Sequence, residues 1–203
     1  MKRSAILLTV LFLLLAGGIA SAQQSDLAVS VIGAFTDNVT GDGLHETATT
    51  SAGPLLSYRR FPGEHSGLEV NYAYTKNSHV YSTLAGSQLP GVQTNMHELS
   101  AAYVFHLTRG SFQPFALAGG GLLMFHPISN AIDAAHPLIS RQTRPTFVYG
   151  VGLDYRVRKH LALRAQMRGL VYEAPDFYGQ QLKLHTSAAM RTTEPSIGLV
   201  YRF

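Results

Sequence analysis

Apolar and polar residues alternate with a period of two through most of this chain. In one segment, Leu68, Val70 and Tyr72 alternate with Glu69 and Asn71. This spacing predicts a β-strand with one apolar and one polar face, because a helix would scatter the same residues around its surface. Strands are predicted in eight segments, at about 26–36, 48–60, 66–76, 96–106, 113–124, 145–157, 161–171 and 191–203.

The links between these segments alternate in length. Short links are predicted at about 61–65, 107–112 and 158–160, and long links at about 37–47, 77–95, 125–144 and 173–190. Turn-forming residues such as Pro62, Gly63 and Gly110 occupy the short links. An even number of strands with alternating short turns and long loops predicts an all-β, eight-stranded antiparallel up-and-down barrel with four long loops at one end.

The alternation alone leaves open which face of the barrel is outside. A soluble barrel of the lipocalin kind buries its apolar face, whereas a transmembrane barrel turns that face toward lipid. Beyond residue 22 the chain has three lysines, Lys76, Lys159 and Lys183, all at strand ends or in links, although soluble surfaces carry many charges. This distribution favours a transmembrane barrel with short periplasmic turns and four long extracellular loops, and the soluble barrel is the alternative.

Aromatic residues on the predicted apolar face gather toward both ends of the strands. They are Tyr58, Phe105, Phe115, Tyr155, Tyr201 and Phe203 at the turn side, and Phe35, Tyr74, Phe125 and Phe147 at the loop side. Transmembrane barrels carry such aromatic girdles at the two membrane interfaces. The second observation therefore also favours the transmembrane barrel.

The N-terminus predicts export. Lys2 and Arg3 form a positive segment, an apolar run follows, and Ala20-Ser21-Ala22 is a small-residue cleavage site. These features are typical of a secretory signal peptide at residues 1–22, which leaves residues 23–203 as the barrel domain. The predicted location is the cell outer membrane.

The composition agrees with one small domain. The chain has 203 residues, 46% of them hydrophobic, and no cysteine, which excludes a disulfide scaffold and disfavours a long disordered chain. The net charge of +4 is too small to indicate a nucleic-acid partner.

The final strand carries the most specific family signal. It alternates from Ser196 to Phe203 and ends in an aromatic residue. With the barrel pattern, this ending resembles the OmpA/OmpX-type and opacity-type small outer-membrane barrels. The resemblance implies that Tyr201 and Phe203 form a signal recognised by the barrel-assembly machinery. It also implies contact with outer-membrane lipid and lipopolysaccharide, and we expect a monomer.

The polar face of the strands predicts a charged lumen. By parity its inward residues include Glu69, Glu98, Asp154, Glu194, Arg156, Arg164, Arg168 and Arg202, together with Gln166 and His106. An eight-stranded barrel is just wide enough to be filled by side chains, so these charges are expected to pair. We predict an ion-pair network with Arg164 and Arg168 near the centre, bridging to Glu69 and Glu98. The network is either structural or a gate for small ions.

Catalytic and metal signals are weak. Most of the nine histidines fall in or beside links without the short, regular spacing of a zinc site, so neither a metal nor a cofactor is predicted. His185 and Ser187, followed by Glu194, resemble the His-x-Ser pair and acidic residue of outer-membrane lipid A deacylases. Parity departs from that pattern, because it turns Glu194 inward and the other two residues outward.

The pattern as a whole predicts a barrel whose function is structural or interactive. The long loops carry apolar residues that suit contact with lipid or an extracellular ligand. They are Tyr81, Leu84, Leu89, Ile128, Ile132, Leu138, Phe177 and Tyr178. The alternatives are a narrow channel for ions or small solutes and a lipid A-modifying hydrolase.

Overall fold

A computed structural model describes residues 24–41, 44–83, 92–108, 110–128, 141–175 and 189–203. The predicted signal peptide at residues 1–22 lies outside the described residues, as do parts of all four long links. No helix among the described residues has the length and hydropathy needed to cross a membrane.

The described chain consists of β-strands joined by turns. The strands are β1 (Gln24–Thr36), β2 (Val39–Gly41), β3 (Leu44–Ala48), β4 (Ser51–Phe61), β5 (Ser66–Thr83), β6 (Val92–His106), β7 (Phe112–Pro127), β8 (Gln142–Arg158), β9 (Leu161–Glu173) and β10 (Ala189–Arg202). Eight of them, all except β2 and β3, form one antiparallel sheet that closes on itself.

The barrel closes where the first and last strands meet. Asp26 of β1 lies opposite Arg202 of β10 on one side and opposite Arg59 of β4 on the other. Every other strand pair of the barrel joins neighbours along the chain. The predicted eight-stranded, antiparallel up-and-down barrel is therefore confirmed.

Several strands extend further toward the loop side than the alternation predicted, and β5 extends furthest. β5 has 18 residues and stays paired with β6 as far as His79 and Val92. The first long link also contains β2 and β3, which form a hairpin whose second strand pairs with the end of β5. In β5 the pairing continues through the polar stretch from Thr75 to His79, where no apolar face marks a strand.

The outer face of the barrel is apolar. Large side chains such as Val31 and Ile197 are 63% and 66% exposed, and similar residues surround the barrel. Phe115 and Phe125 are exceptions, because both are buried inside rather than placed in the outer girdles as predicted. β7 carries apolar residues on both faces, so its alternation did not distinguish inside from outside.

Glycines in β7 allow the neighbouring strand to approach closely. A Cβ atom on Gly119 would overlap the backbone carbonyl oxygen of Ala101 in β6. On Gly120, which points outward, the nearest atom would be the Thr146 carbonyl oxygen at 3.4 Å. The run Gly119–Gly121 therefore has a packing role in the barrel wall.

We expect Gly119→Ala to destabilise the barrel by about 1–3 kcal/mol, because the added methyl group forces the backbones of β6 and β7 apart. The matched control is Gly120→Ala, whose methyl group points into the lipid. The free energy of unfolding in urea, followed by the gel mobility shift between folded and unfolded forms, measures both. Equal stability of the two variants would contradict the packing role.

Candidate functional site

The barrel encloses charged side chains in two clusters. We name them by the two ends of the barrel, the turn side with the short links and the loop side with the long links. The turn-side cluster consists of Asp26, Arg59, Glu69, Asp154, Arg164 and Arg202. The loop-side cluster consists of Glu98, Arg168 and Glu194.

Strand register creates the closest ion pairs of the turn-side cluster. Arg164 of β9 lies opposite Asp154 of β8 and binds it with two hydrogen bonds, of 2.7 Å from Nε and 2.8 Å from Nη2. Arg59 of β4 lies opposite Glu69 of β5 and donates to its carboxylate. Opposite charges at facing positions of adjacent strands stabilise both the register and the sheet.

Other contacts of the turn-side cluster cross the lumen. Arg59 Nη1 lies 3.7 Å from Asp154 Oδ2, and Arg164 Nη1 lies 3.7 Å from Glu69 Oε2. The Arg59 guanidinium also stacks 4.0 Å above the ring of Phe115 in β7. The cluster thereby joins β4 to β8 and β5 to β9 across the lumen, as well as linking neighbouring strands.

The loop-side cluster places two carboxylates around one guanidinium. Arg168 Nη2 lies 2.6 Å from Glu98 Oε2, which it reaches across the lumen, and also donates to Glu194 on the adjacent strand. Ser100 donates a hydrogen bond of 2.7 Å to Glu98 Oε1. Glu98 thus depends on a partner from a distant strand, and the cluster joins β6 to β9 and β10.

Apolar side chains fill much of the remaining interior. A buried cluster lines the wall from β6 to β10 and includes Met96, Val104, Phe115, Leu117, Leu123, Phe125, Val148, Leu170, Tyr172 and Met190. The charged clusters therefore lie beside a packed core instead of facing bulk water.

Burial shows that the lumen is closed at both clusters. The side chains of Arg59, Arg168 and Glu98 have no solvent exposure. A side chain that lines a water-filled channel stays accessible to water, as in the wide barrels of porins. Within the described part of the chain, side chains fill the interior at these levels.

Seven of the eight predicted lumen residues lie in these clusters. They are Glu69, Glu98, Asp154, Arg164, Arg168, Glu194 and Arg202. The prediction for Arg156 is wrong in its burial, because Arg156 keeps the inward register opposite Ala162 but lies at the turn-side end of β8, where its side chain is exposed. His106 and Gln166 are buried as well, with His106 Nε2 at 3.8 Å from Asp154.

Two cluster members, Asp26 and Arg59, were not among the predicted lumen residues. Both share the parity of inward residues in their strands, since Leu27 is exposed and Tyr58 is half-buried on the other face. Pro54 interrupts the strand pattern before Arg59, and Asp26 lies at the beginning of its segment. Strict parity counting from Leu56 and Val29 would have found both.

The other predicted functional residues lie elsewhere. Tyr201 and Phe203 are on the outer face, with their rings 6.1 Å apart and stacked. His185 and Ser187 lie outside the described residues, whereas Glu194 is inside the lumen with Arg168. No group of three His, Cys, Asp or Glu side chains within the described ranges is placed to hold a metal ion.

A closed antiparallel barrel with an apolar exterior and a charged, water-excluding interior is the architecture of a transmembrane β-barrel. A family model described as outer membrane protein beta-barrel domain matches residues 8–203. The chain belongs to this family, and its location is the cell outer membrane. No curated protein sequence matches the chain.

Solved structures share the fold. The outer membrane protein OprG from Pseudomonas aeruginosa matches with a TM-score of 0.66 and 16% identity, covering 90% of this chain and 96% of that chain. Neisserial surface protein A matches with a TM-score of 0.60 and 15% identity, covering 90% and 98%. Ail of Yersinia pestis, in complex with the heparin analogue sucrose octasulfate, matches with a TM-score of 0.55 and 16% identity, covering 90% and 100%.

We expect Arg168→Met to lower the free energy of unfolding by about 3–5 kcal/mol, because it leaves Glu98 and Glu194 buried without their shared cation. The combination of Arg168→Met with Glu98→Gln and Glu194→Gln removes both charges and is expected to recover much of this loss. Urea unfolding in lipid vesicles measures the difference.

The matched control for that series is Arg156→Met, since Arg156 is exposed at the barrel end. A surface substitution of this kind changes stability by less than about 0.5 kcal/mol. If Arg168→Met and Arg156→Met have the same stability, the loop-side cluster contributes nothing to the fold.

Proposed function

We propose that this protein is a closed outer-membrane barrel that acts through its loop-side surface, as an adhesive or ligand-binding protein. The observation that carries the proposal is the plugged lumen. Arg59, Arg168 and Glu98 are wholly buried, and this burial argues against a path for solutes through the described interior. A ligand can then bind at the loop-side surface outside the membrane.

The loop side also supplies a rigid support for binding. A tilted strand crosses the hydrocarbon layer in about 9–11 residues, whereas β5 has 18 and β6 has 15. The β2–β3 hairpin pairs with the outer end of β5 and widens this extension. A sheet that continues beyond the membrane positions its loops more precisely than free segments would.

The relatives and the loop composition favour a surface role. The name of Ail is attachment invasion locus protein, and the Neisserial protein is named a surface protein. The end of β5 and the link that follows it contain apolar residues such as Tyr81, Leu84 and Leu89. Apolar side chains at an exposed surface suit a contact with lipid, an extracellular ligand or another cell.

The proposal includes recognition of the last strand by the barrel-assembly machinery and a monomeric state. The exposed Tyr201 and Phe203 at the end of β10 suit recognition by the barrel-assembly machinery, and the closed barrel suits a monomer. The narrow channel and the lipid A-modifying hydrolase are alternative functions. The buried clusters disfavour the channel. The pairing of Glu194 with Arg168 disfavours the hydrolase, because Glu194 would have to act with His185 and Ser187.

We expect the purified barrel to produce no discrete conductance steps in a planar bilayer, because charged and apolar side chains fill the lumen. Folding of the sample is verified by different gel mobility before and after boiling. Reproducible steps from the folded protein would favour the channel and assign a gating role to Arg168.

We expect the second long loop, together with the end of β5 that leads into it, to promote adhesion of cells that display the protein. The triple variant Tyr81→Ser, Leu84→Ser and Leu89→Ser should lower attachment to hydrophobic polystyrene and partition into hexadecane severalfold, because it removes apolar contact surface. The matched control is Leu107→Ser, an exposed leucine at the turn side. Unchanged adhesion of the triple variant at equal surface amounts would contradict a binding role for this loop.

A further inference from the structure

Four polar residues form a row across the outer face of the barrel at its loop side. Lys76 of β5 lies opposite Asn95 of β6, which lies opposite His126 of β7. The next pair along β7 and β8 is Phe125 with Gln142, so one further step in the same register places His126 opposite Arg141. We call Lys76, Asn95, His126 and Arg141 the basic row.

The basic row points away from the lumen. Lys76 and Arg141 are exposed, and Asn95 and His126 are half-buried. The next residues along two of the strands, Met96 and Phe125, are buried. The row therefore continues the outer surface of the barrel and lies within reach of molecules in the surrounding membrane.

The level of the row is that of the membrane interface. Two and four residues further toward the turn side, the same outer face carries Tyr74 and then Tyr72, and Leu99 and Leu122 lie beside Tyr72 in register. Tyr72, Leu99 and Leu122 are exposed. Tyrosines mark the level where hydrocarbon gives way to headgroups, so the basic row lies beside the headgroups of the extracellular leaflet.

Hydrogen bonds from two tyrosines orient Asn95 in the row and His97 beside it. Tyr74 Oη donates to Asn95 Oδ1 at 3.0 Å, which occupies the amide oxygen and leaves the amide nitrogen as a donor. Tyr72 Oη lies 2.8 Å from His97 Nδ1, and the His97 ring is 5.2 Å from the ring of His126. The surface therefore presents donors and cations to the headgroup layer.

The charge of this surface selects the partner. The basic row contains no acidic residue. The same is true of the next row on the outer face toward the turn side, which consists of Tyr74, His97, Met124 and Thr143. Lys76 and Arg141 are separated by three strand spacings, about 14 Å, and carry the longest side chains of the row. Their ends can converge over the shorter Asn95 and His126, which makes a cradle for an anion with several oxygen acceptors.

We propose that the basic row binds a phosphate group of a phosphorylated glycolipid, the lipid A type of headgroup, in the extracellular leaflet. Lysine and arginine bind phosphate oxygens with charge-assisted hydrogen bonds, and Asn95 and His126 add donors between them. The apolar surface below the row faces the acyl chains of the same lipid. The proposal rests on the outer-membrane location and is independent of adhesion by the loops.

The test is a titration of diphosphorylated lipid A into the full mature barrel in a zwitterionic detergent, with lipid-bound protein counted by native mass spectrometry. The double variant Lys76→Gln and Arg141→Gln is expected to bind lipid A about tenfold or more weakly, because two charged contacts are lost. Dephosphorylated lipid A should bind the unchanged protein as weakly as the double variant binds lipid A.

The matched control is Arg191→Gln, an exposed arginine at the loop side of β10 on a different part of the wall. It removes one positive charge, as each substitution of the double variant does, and should leave lipid A affinity unchanged. Gel mobility before and after boiling verifies that each variant is folded. Equal weakening by Arg191→Gln and by the double variant would show general attraction to a basic surface and would overturn the site.

Two further results would also overturn the proposal. One is equal affinity of the unchanged protein for phosphorylated and dephosphorylated lipid A, which would assign binding to the acyl chains alone. The other is displacement of lipid A by inorganic phosphate at low concentration, which would indicate a site for the free ion. Adhesion of cells is expected to be unaffected by the double variant, so failure here and failure of the proposed surface function are distinguishable.

Discussion

The structure depends on keeping ionised side chains in a space without water. Inside this barrel Arg168 has no solvent to contact, so its charge is compensated by Glu98 and Glu194 alone. The cost of removing such groups from water is recovered only when every partner is correctly placed. Each cluster therefore favours one arrangement of strands over all others, since a shift by one residue would turn its charges toward hydrocarbon.

This requirement explains how a polar lumen coexists with an apolar outer surface. The sheet must present Val31 and Ile197 to lipid while the neighbouring positions face the interior. Lumen residues of ordinary size would leave gaps, which the long arginines and Phe115 fill. Arg59 is an example, because one side chain pairs with Glu69, approaches Asp154 and stacks on an aromatic ring. The same residues that neutralise charge also occupy the space that a channel would need.

The sequence predicted the architecture well because the alternation reports the difference between two solvents. Leu68, Val70 and Tyr72 alternate with Glu69 and Asn71, and this contrast requires an inside and an outside of opposite character. The prediction failed where the contrast disappears. β7 is apolar on both faces, and β5 is polar on both faces from Thr75 to His79, so neither the orientation of Phe115 nor the end of the strand at Thr83 could be read from parity.

The same alternation predicted which residues face the lumen, but it did not predict which of them pair with one another. Parity identifies the side chains that point inward, but it does not identify partners across the lumen, which depend on strand tilt and barrel diameter. The contact of Arg168 with Glu98 followed from the general need for pairing, whereas the choice of Asp154 as the main partner of Arg164 follows from register between β8 and β9. Arg156 shows the limit, because it keeps the inward register opposite Ala162 but lies at the end of the barrel, where its side chain is exposed.

The closure between β1 and β10 has a consequence for how the barrel forms. Asp26 comes from the first strand and its partner Arg202 from the last, so this pair joins residues separated by nearly the whole chain. Until the final strand arrives, the intermediate holds an incomplete set of countercharges and two open sheet edges. Partial structures are then unstable, and formation of the barrel is expected to be a concerted, all-or-none event of high contact order, with insertion, pairing and sealing completed together.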